Sequence, residues 1–253
     1  LPCFYGRFAT LDLIEPKVVE AAMIIAIVNQ HSSPDRTVVA RNLAVLRARS
    51  GRRVCLMTTD AAREGDWCSE RSSAGVRPWI DTRLVGTRAV KTRLASLRPL
   101  FNDILIDAGT RDTDGGRCVL AASRLVVVPV RGSALDLDLQ YRLLARLNAA
   151  RAFNPAMRVL FVAVSGPAGP DAIERAAVLA HVARVQGATL ASTVLHAPAA
   201  FDYGPGRCVS DAETCDPDGA AAMHALYDEV YATLPKLACG VEAQMGSAHA
   251  LWR

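Results

Sequence analysis

Short apolar runs return along the chain and alternate with stretches of helical spacing. MIIAIV begins at Met23, VCLMT at Val54, ILIDA at Ile104, LVVVPV at Leu125, VLFVAV at Val159 and TLASTVL at Thr189. Continuous apolar runs of this length read as strands covered on both faces, because a strand with one wet face alternates instead. Between them, Val39, Leu43 and Leu46 share one helical face, and Gly51 stands where a C-terminal cap is expected. A second helix is predicted after Ser133, where Ser133 and Asp136 make a capping-box-like pair ahead of Leu139, Leu143 and Leu147. A last helix carries Met223, Leu226, Tyr227, Val230 and Leu234 on one face, after the turn-forming Asp216, Pro217, Asp218 and Gly219. The alternation predicts an α/β fold: a mostly parallel central sheet with helices on both faces, where ligands sit beyond the carboxyl ends of the strands. The loop after Val28 is therefore the first candidate site. Residues 68–81, rich in Ser, Arg and Gly, and 202–218, rich in Gly, Pro and Asp, are predicted to be mobile loops.

The chain has 253 residues, which suits one such domain over residues 23–234. Residues 1–22 read as an N-terminal extension and 235–253 as a C-terminal tail. Hydrophobic residues make up 51% and aromatic ones 6%, so the core is expected to be Ala, Val and Leu. Seven scattered cysteines without a C-x-x-C pair suggest neither a disulfide framework nor a zinc ribbon, and point to a reducing cytoplasm. No secretory leader and no apolar run of about 18 residues is present, so no transmembrane segment is expected. The five histidines lack metal-site spacing, and there is neither a G-x-S-x-G elbow nor a G-x-G-x-x-G loop. A hydrolase of that kind, a dinucleotide enzyme and a metal centre therefore have no local support.

The segment MIIAIVNQHSSPDRTVVARNLAVLRARSGRRVCLMTTD resembles the opening of ParA/MinD-type partition ATPases in framework, spacing and chain position. FNDILIDAGTRD resembles that family's Walker B and switch segment, and VVVPVRGSALDL the next strand, loop and helix start. ARAFNPAMRVLFVAV and DPDGAAAMHALYDEV are similar to its later segments, so the resemblance covers roughly residues 23–234. It implies a P-loop NTPase-like fold of the SIMIBI/ParA-like kind, with Mg-ATP as the family's ligand.

The family's phosphate loop after Asn-Gln is typically K-G-G-x-G-K-T-T, and here it is rewritten. His31 stands at the lysine that crosses to a partner's nucleotide, Ser32 and Ser33 at two glycines, and Pro34 at the variable position. Asp35 stands at the last glycine and Arg36 at the P-loop lysine, followed by Thr37, the Mg²⁺-contacting hydroxyl, and Val38. The family's D-x-D is Thr58, Thr59 and Asp60; Asp107 matches the Walker B carboxylate and Gly109 the switch glycine. Side chains at 32, 33 and 35 hinder the close approach of backbone to phosphate, and Pro34 has no N–H to donate. Asp35 is expected to set a negative charge where phosphates would lie, and the fork of Arg36 does not replace a compact ammonium. The family's base-reading Asn after the strand at 159–164 is replaced by Ser165, Gly166 and Pro167. Two readings stay open at these positions. Arg36 and Thr37 are nucleotide contacts or an exposed helix start, and Asp60 and Asp107 are site acids or turn caps. Thr37 and Asp107 would meet a metal only with Mg-ATP bound.

The net charge of +4 permits contact with nucleic acid without demanding it. Arg77, Arg83, Arg88, Lys91, Arg93 and Arg98 cluster against Asp81, and Arg142 and Arg146 lie one helical turn apart. Of these, Arg88, Lys91, Arg93, Arg142 and Arg146 are candidate contacts to non-specific DNA, a property the resemblance implies; a solvated helix face is the alternative. The expectation is a ParA-like protein that positions plasmid, chromosome or protein cargo, with a degenerate nucleotide site and no bound cofactor. It would be cytoplasmic, with nucleoid association implied by the resemblance. Its partners would be a centromere-binding, cargo or adaptor protein or an intact ParA-type ATPase, and a homodimer is compatible. The alternative is a slow ParA-type ATPase with ATP-dependent DNA binding. A metabolic relative of the same fold, an amidoligase or a reductase, finds no substrate or iron–sulfur motif.

Overall fold

The structure is a computed structural model that describes residues 22–29, 34–59, 67–109, 112–132, 137–166, 169–196, 203–213 and 215–234. Seven parallel strands form one sheet in the order β3-β2-β4-β1-β5-β6-β7. They are β1 (Met23–Ile27), β2 (Val54–Thr58), β3 (Asp81–Leu84), β4 (Asp103–Asp107), β5 (Leu125–Val130), β6 (Arg158–Ser165) and β7 (Ala188–His196). The helices are α1 (Pro34–Arg49), α2 (Trp67–Ser73), α3 (Val90–Leu97), α4 (Asp114–Ala122), α5 (Leu137–Phe153), α6 (Ala172–Val182) and α7 (Pro217–Thr233).

The two-residue period of each strand divides the core. Ile24, Ala26, Ile104, Ile106, Val126 and Val128 face a layer that includes Leu94, Val119, Leu120, Leu143, Leu147 and Val178 from α3 to α6. Ile25, Ile27, Leu105, Val127 and Leu160 face the opposite layer, where Val39, Leu43, Met223, Leu226 and Val230 come from α1 and α7. The chain runs outward from β1 through β2 to β3, returns to β4 and then proceeds through β5 to β7. The strand order reverses around β1, and the carboxyl ends of β4, β1 and β5 meet there. In open parallel sheets a crevice forms at such a reversal.

The predicted strands at Val54, Ile104 and Leu125 are buried as expected, but the one from Thr189 is an edge. β7 buries Ala191 and Leu195 and leaves much of the rest open to solvent. β3, with the sequence DTRL, was invisible to a search for apolar runs because it is a polar edge strand beside β2. The mobile loop expected over 68–81 instead begins inside α2. Arg71 there is fully buried, and its five N–H groups donate to Pro78 O (2.8 Å), Gly206 O (3.0 Å), Arg77 O (2.8 Å) and both Asp211 oxygens (2.6 and 3.1 Å). Gly206 permits this contact: a Cβ there would lie 2.1 Å from the Arg71 backbone, and its φ is +66°. The expected mobile loop at 202–218 carries a 3-10 turn, Val209–Asp211, with Ser210 buried against Asn42. The capping pair Ser133 and Asp136 lies outside the described residues.

Candidate functional site

Pro34 opens α1, a position where its missing N–H would have had no helical partner anyway. Asp35 and Arg36 follow in the first turn, and both are buried, at 4% and 0% exposure. The exposed helix start weighed for Arg36 is therefore corrected: the guanidinium turns inward beneath the end of β1. Its Nε donates to Asp107 Oδ1, and Thr37 Oγ1 donates to Asp107 Oδ2 at 2.7 Å. Asp107 is brought to that point because β4 pairs with β1 in register, Ile27 beside Asp107. Both oxygens of this carboxylate are thus engaged by adjacent residues of α1.

The Asp35 carboxylate is paired: Arg131, directly after β5, forks onto it at 2.8 and 2.6 Å. Donation to the Asp35 carboxylate raises the Arg131 guanidinium above its ordinary value, against a smaller opposing effect of burial. Two Arg–Asp pairs therefore stand at the crevice. A carboxylate in the first turn of a helix is also favoured by the partial positive charge of that end.

Thr58 ends β2 directly beside Asp107, and Thr59 N donates to Asp107 O at 3.1 Å. Gly109 N donates to Thr59 Oγ1 at 2.8 Å, so Gly109 is tied to the residue that follows β2. The structure brings together Asp35, Arg36, Thr37, Val38, Thr58, Asp107 and Gly109 beyond the carboxyl ends of the central strands. His31, Ser32, Ser33 and Asp60 lie outside the described residues. Arg131 was missed by sequence reasoning. Only its place after the LVVVPV strand could have marked it, since its partner is 96 residues away.

Two spaces flank α1. The outer one, about 260 Å³, is lined by Thr37, Val38, Arg41 and Asn42 of α1 and by Tyr203 and Arg207. Arg41 stacks over Trp67 at 5.0 Å, and burial pulls its guanidinium below its ordinary value despite the field of Asp107. The inner space lies where Asp35 and Val38 meet Val164, His196 and Tyr203 at the ends of β6 and β7, and it measures only about 20 Å³. That is close to the volume that admits a single water. Ser165 is buried at the end of β6.

The candidate DNA contacts fall on the other helical layer. Arg88, Lys91 and Arg93 are exposed on and before α3, and Arg142 is exposed on α5. Arg146 is largely covered, with 12% of its side chain exposed and Asp112 at 3.5 Å. Among the described residues no group of three His, Cys, Asp or Glu side chains could hold a metal, and no helix is long and apolar enough to cross a membrane.

No protein-family model matches this sequence, and no curated protein matches it. Solved structures do share its fold. A cobyrinic acid a,c-diamide synthase from Mycobacterium smegmatis, with bound ATP analogue and magnesium, matches at TM-score 0.61 and 17% identity over 86% of this chain and 99% of that one. A plasmid partition protein from Borrelia burgdorferi matches at 0.58 and 10% identity, covering 84% and 99%. The cell division ATPase MinD of Pyrococcus furiosus matches at 0.58 and 18%, covering 83% and 99%. The chain thus has the α/β fold of MinD- and ParA-type P-loop ATPases, with a seven-stranded parallel sheet.

Proposed function

We propose that this chain is a ParA/MinD-like positioning protein whose nucleotide site is closed by its own side chains, and that it works through protein contacts. The observation that carries the reading is Asp107, whose two carboxylate oxygens accept from Arg36 and Thr37. In the fold's ATPases, as the resemblance describes them, this acid serves the magnesium side of the site and the residue at Arg36 reaches phosphate. Here the cation is spent on the acid. Mg-ATP does not fit the residues present. A phosphate loop needs backbone N–H groups at close range, whereas Pro34 offers none, and Asp35 adds a buried carboxylate already committed to Arg131. Near the end of β6, where the family reads the base, the space beside α1 admits about one water. No nucleotide-dependent step is therefore assigned.

Thermal unfolding tests the reading. A ligand that binds the native state raises the melting temperature by mass action, so millimolar Mg-ATP is expected to leave it unchanged. A rise of several degrees would support the second reading, a slow ATPase, which the 2.7 Å approach of Thr37 to Asp107 favours because both stand where a magnesium ion would be held.

A further inference from the structure

On the face of the sheet opposite α1, a groove of about 720 Å³ runs between α4 and α5. Its floor is apolar: Leu120 and Ala121 come from α4, and Ala145 and Ala149 from α5. Phe153 closes one end with 69% of its surface exposed. Ala145 and Ala149 lie one helical turn apart and carry nothing beyond a methyl group, so another helix could approach the α5 backbone closely.

The rim is cationic. Arg117, Arg142 and Arg146 stand on it with Asp112 as the acid among the lining residues. Asp112 is shared, accepting from Arg117 at 3.0 Å while Arg146 lies 3.5 Å away. Arg142 makes no hydrogen bond or ion pair among the described residues. Three guanidiniums and one carboxylate thus line the groove, and two of the three guanidiniums approach that carboxylate. Burial lowers the Arg146 guanidinium below its ordinary value, against the opposing field of Asp112.

We propose that the α4–α5 groove docks an amphipathic helix of a partner protein, its apolar face on Ala145, Ala149 and Phe153 and its flanking acids on Arg142, Arg146 and Arg117. Arg142 and Arg146 sit at i and i+4, so acids at the same spacing on the partner meet them in register. Phe153 supplies the large exposed aromatic that anchors such interfaces, and helix-in-groove recognition uses this combination of apolar floor and charged rim. Duplex DNA would use the arginines but would gain nothing from the apolar floor. The inference is independent of the nucleotide reading, because α1 lies in the other layer.

The probe is a synthetic helical peptide with Leu and Ala on one face and Glu at i and i+4 beside it, titrated into the full chain by fluorescence anisotropy. Saturable binding is expected, weakened at least tenfold by Arg142→Glu with Arg146→Glu, and regained when the peptide's Glu residues become Lys. Circular dichroism of the double variant serves as the folding control, and Ala149→Trp, which fills the floor without touching charge, is expected to abolish binding. Equal binding of the Glu and Lys peptides to the unaltered chain would overturn the proposal. So would the absence of saturable binding, or duplex DNA displacing the peptide from the same arginines. Photo-crosslinking from Phe153→benzoylphenylalanine should capture the peptide; capture of the chain's own residues 1–21 or of a second copy in its place would also overturn it.

Discussion

Arg36 differs from a lysine at the same place in geometry as well as in basicity. Its Nε donates to one oxygen of the Asp107 carboxylate in a fully buried position, and Thr37 donates to the other. Removing one member of a buried ion pair strands the other charge, at a cost of about 3–5 kcal/mol, whereas replacing both by apolar groups is often neutral. Arg36→Met is therefore expected to lower unfolding stability in urea by about that amount, and the double variant Arg36→Met, Asp107→Leu to recover much of it. A single-variant loss below about 1 kcal/mol would mean that the pair is not formed. His181 gives a pH signature of its own. Burial against Phe161, reinforced by Arg184, holds its imidazole below the ordinary value, so the folded state prefers it neutral. The unfolded chain takes up that proton near about pH 6.5. This contribution is complete above that pH and is lost as pH falls through the depressed folded value. His181→Phe should flatten the dependence of stability on pH between about 5 and 7.5; an unchanged slope would assign it to other groups. At this scale the sequence marked Asp35, Arg36, Thr37 and Asp107 as a group. It did not reveal that Asp35 and Arg36 turn to separate partners, because Arg131 and Asp107 are joined to them only through the sheet.

At the scale of elements, legibility followed burial. Runs such as MIIAIV and LVVVPV predicted central strands because both faces are covered, and periodicity found α1, α5 and α7. β3 and α2 were missed since each is stabilised by something other than an apolar pattern: β3 by pairing along β2, and α2 by one buried arginine. Asp211 records that second contact. Burial alone would push its carboxyl up, but hydrogen bonds from Arg71 and Cys208 hold it below the ordinary value. Arg71→Lys keeps the charge but cannot supply five donors in a plane. It is expected to raise amide hydrogen exchange over residues 67–73 and 206–211 while β1, β4 and β5 stay protected. Unaltered exchange in α2 would show that Trp67 and its neighbours hold the helix without Arg71. A related economy appears at β7, where its register against β6 shifts and Glu229 of α7 accepts from the Ser192 and Thr193 amides at 2.8 Å. No apolar period could have announced that acid.

Across the whole molecule, the two helical layers divide the work. The layer with α1 and α7 holds the crevice at the ends of β4, β1 and β5, where the Arg36–Asp107 and Arg131–Asp35 ion pairs lie. The layer with α3, α4 and α5 carries an apolar groove rimmed by arginines. A scaffold of this fold can lose nucleotide chemistry and keep its surfaces for recognition, since fold and site are separable. On the proposed reading, nucleotide binding would need backbone shape and charge changed together: Ser32→Gly, Ser33→Gly, Asp35→Gly and Arg36→Lys in one chain. The most direct test of the closed site is calorimetric titration of Mg-ATP into the unaltered protein beside that fourfold variant. The unaltered protein is predicted to give no binding heat up to millimolar nucleotide, and saturable micromolar binding by it would contradict the account.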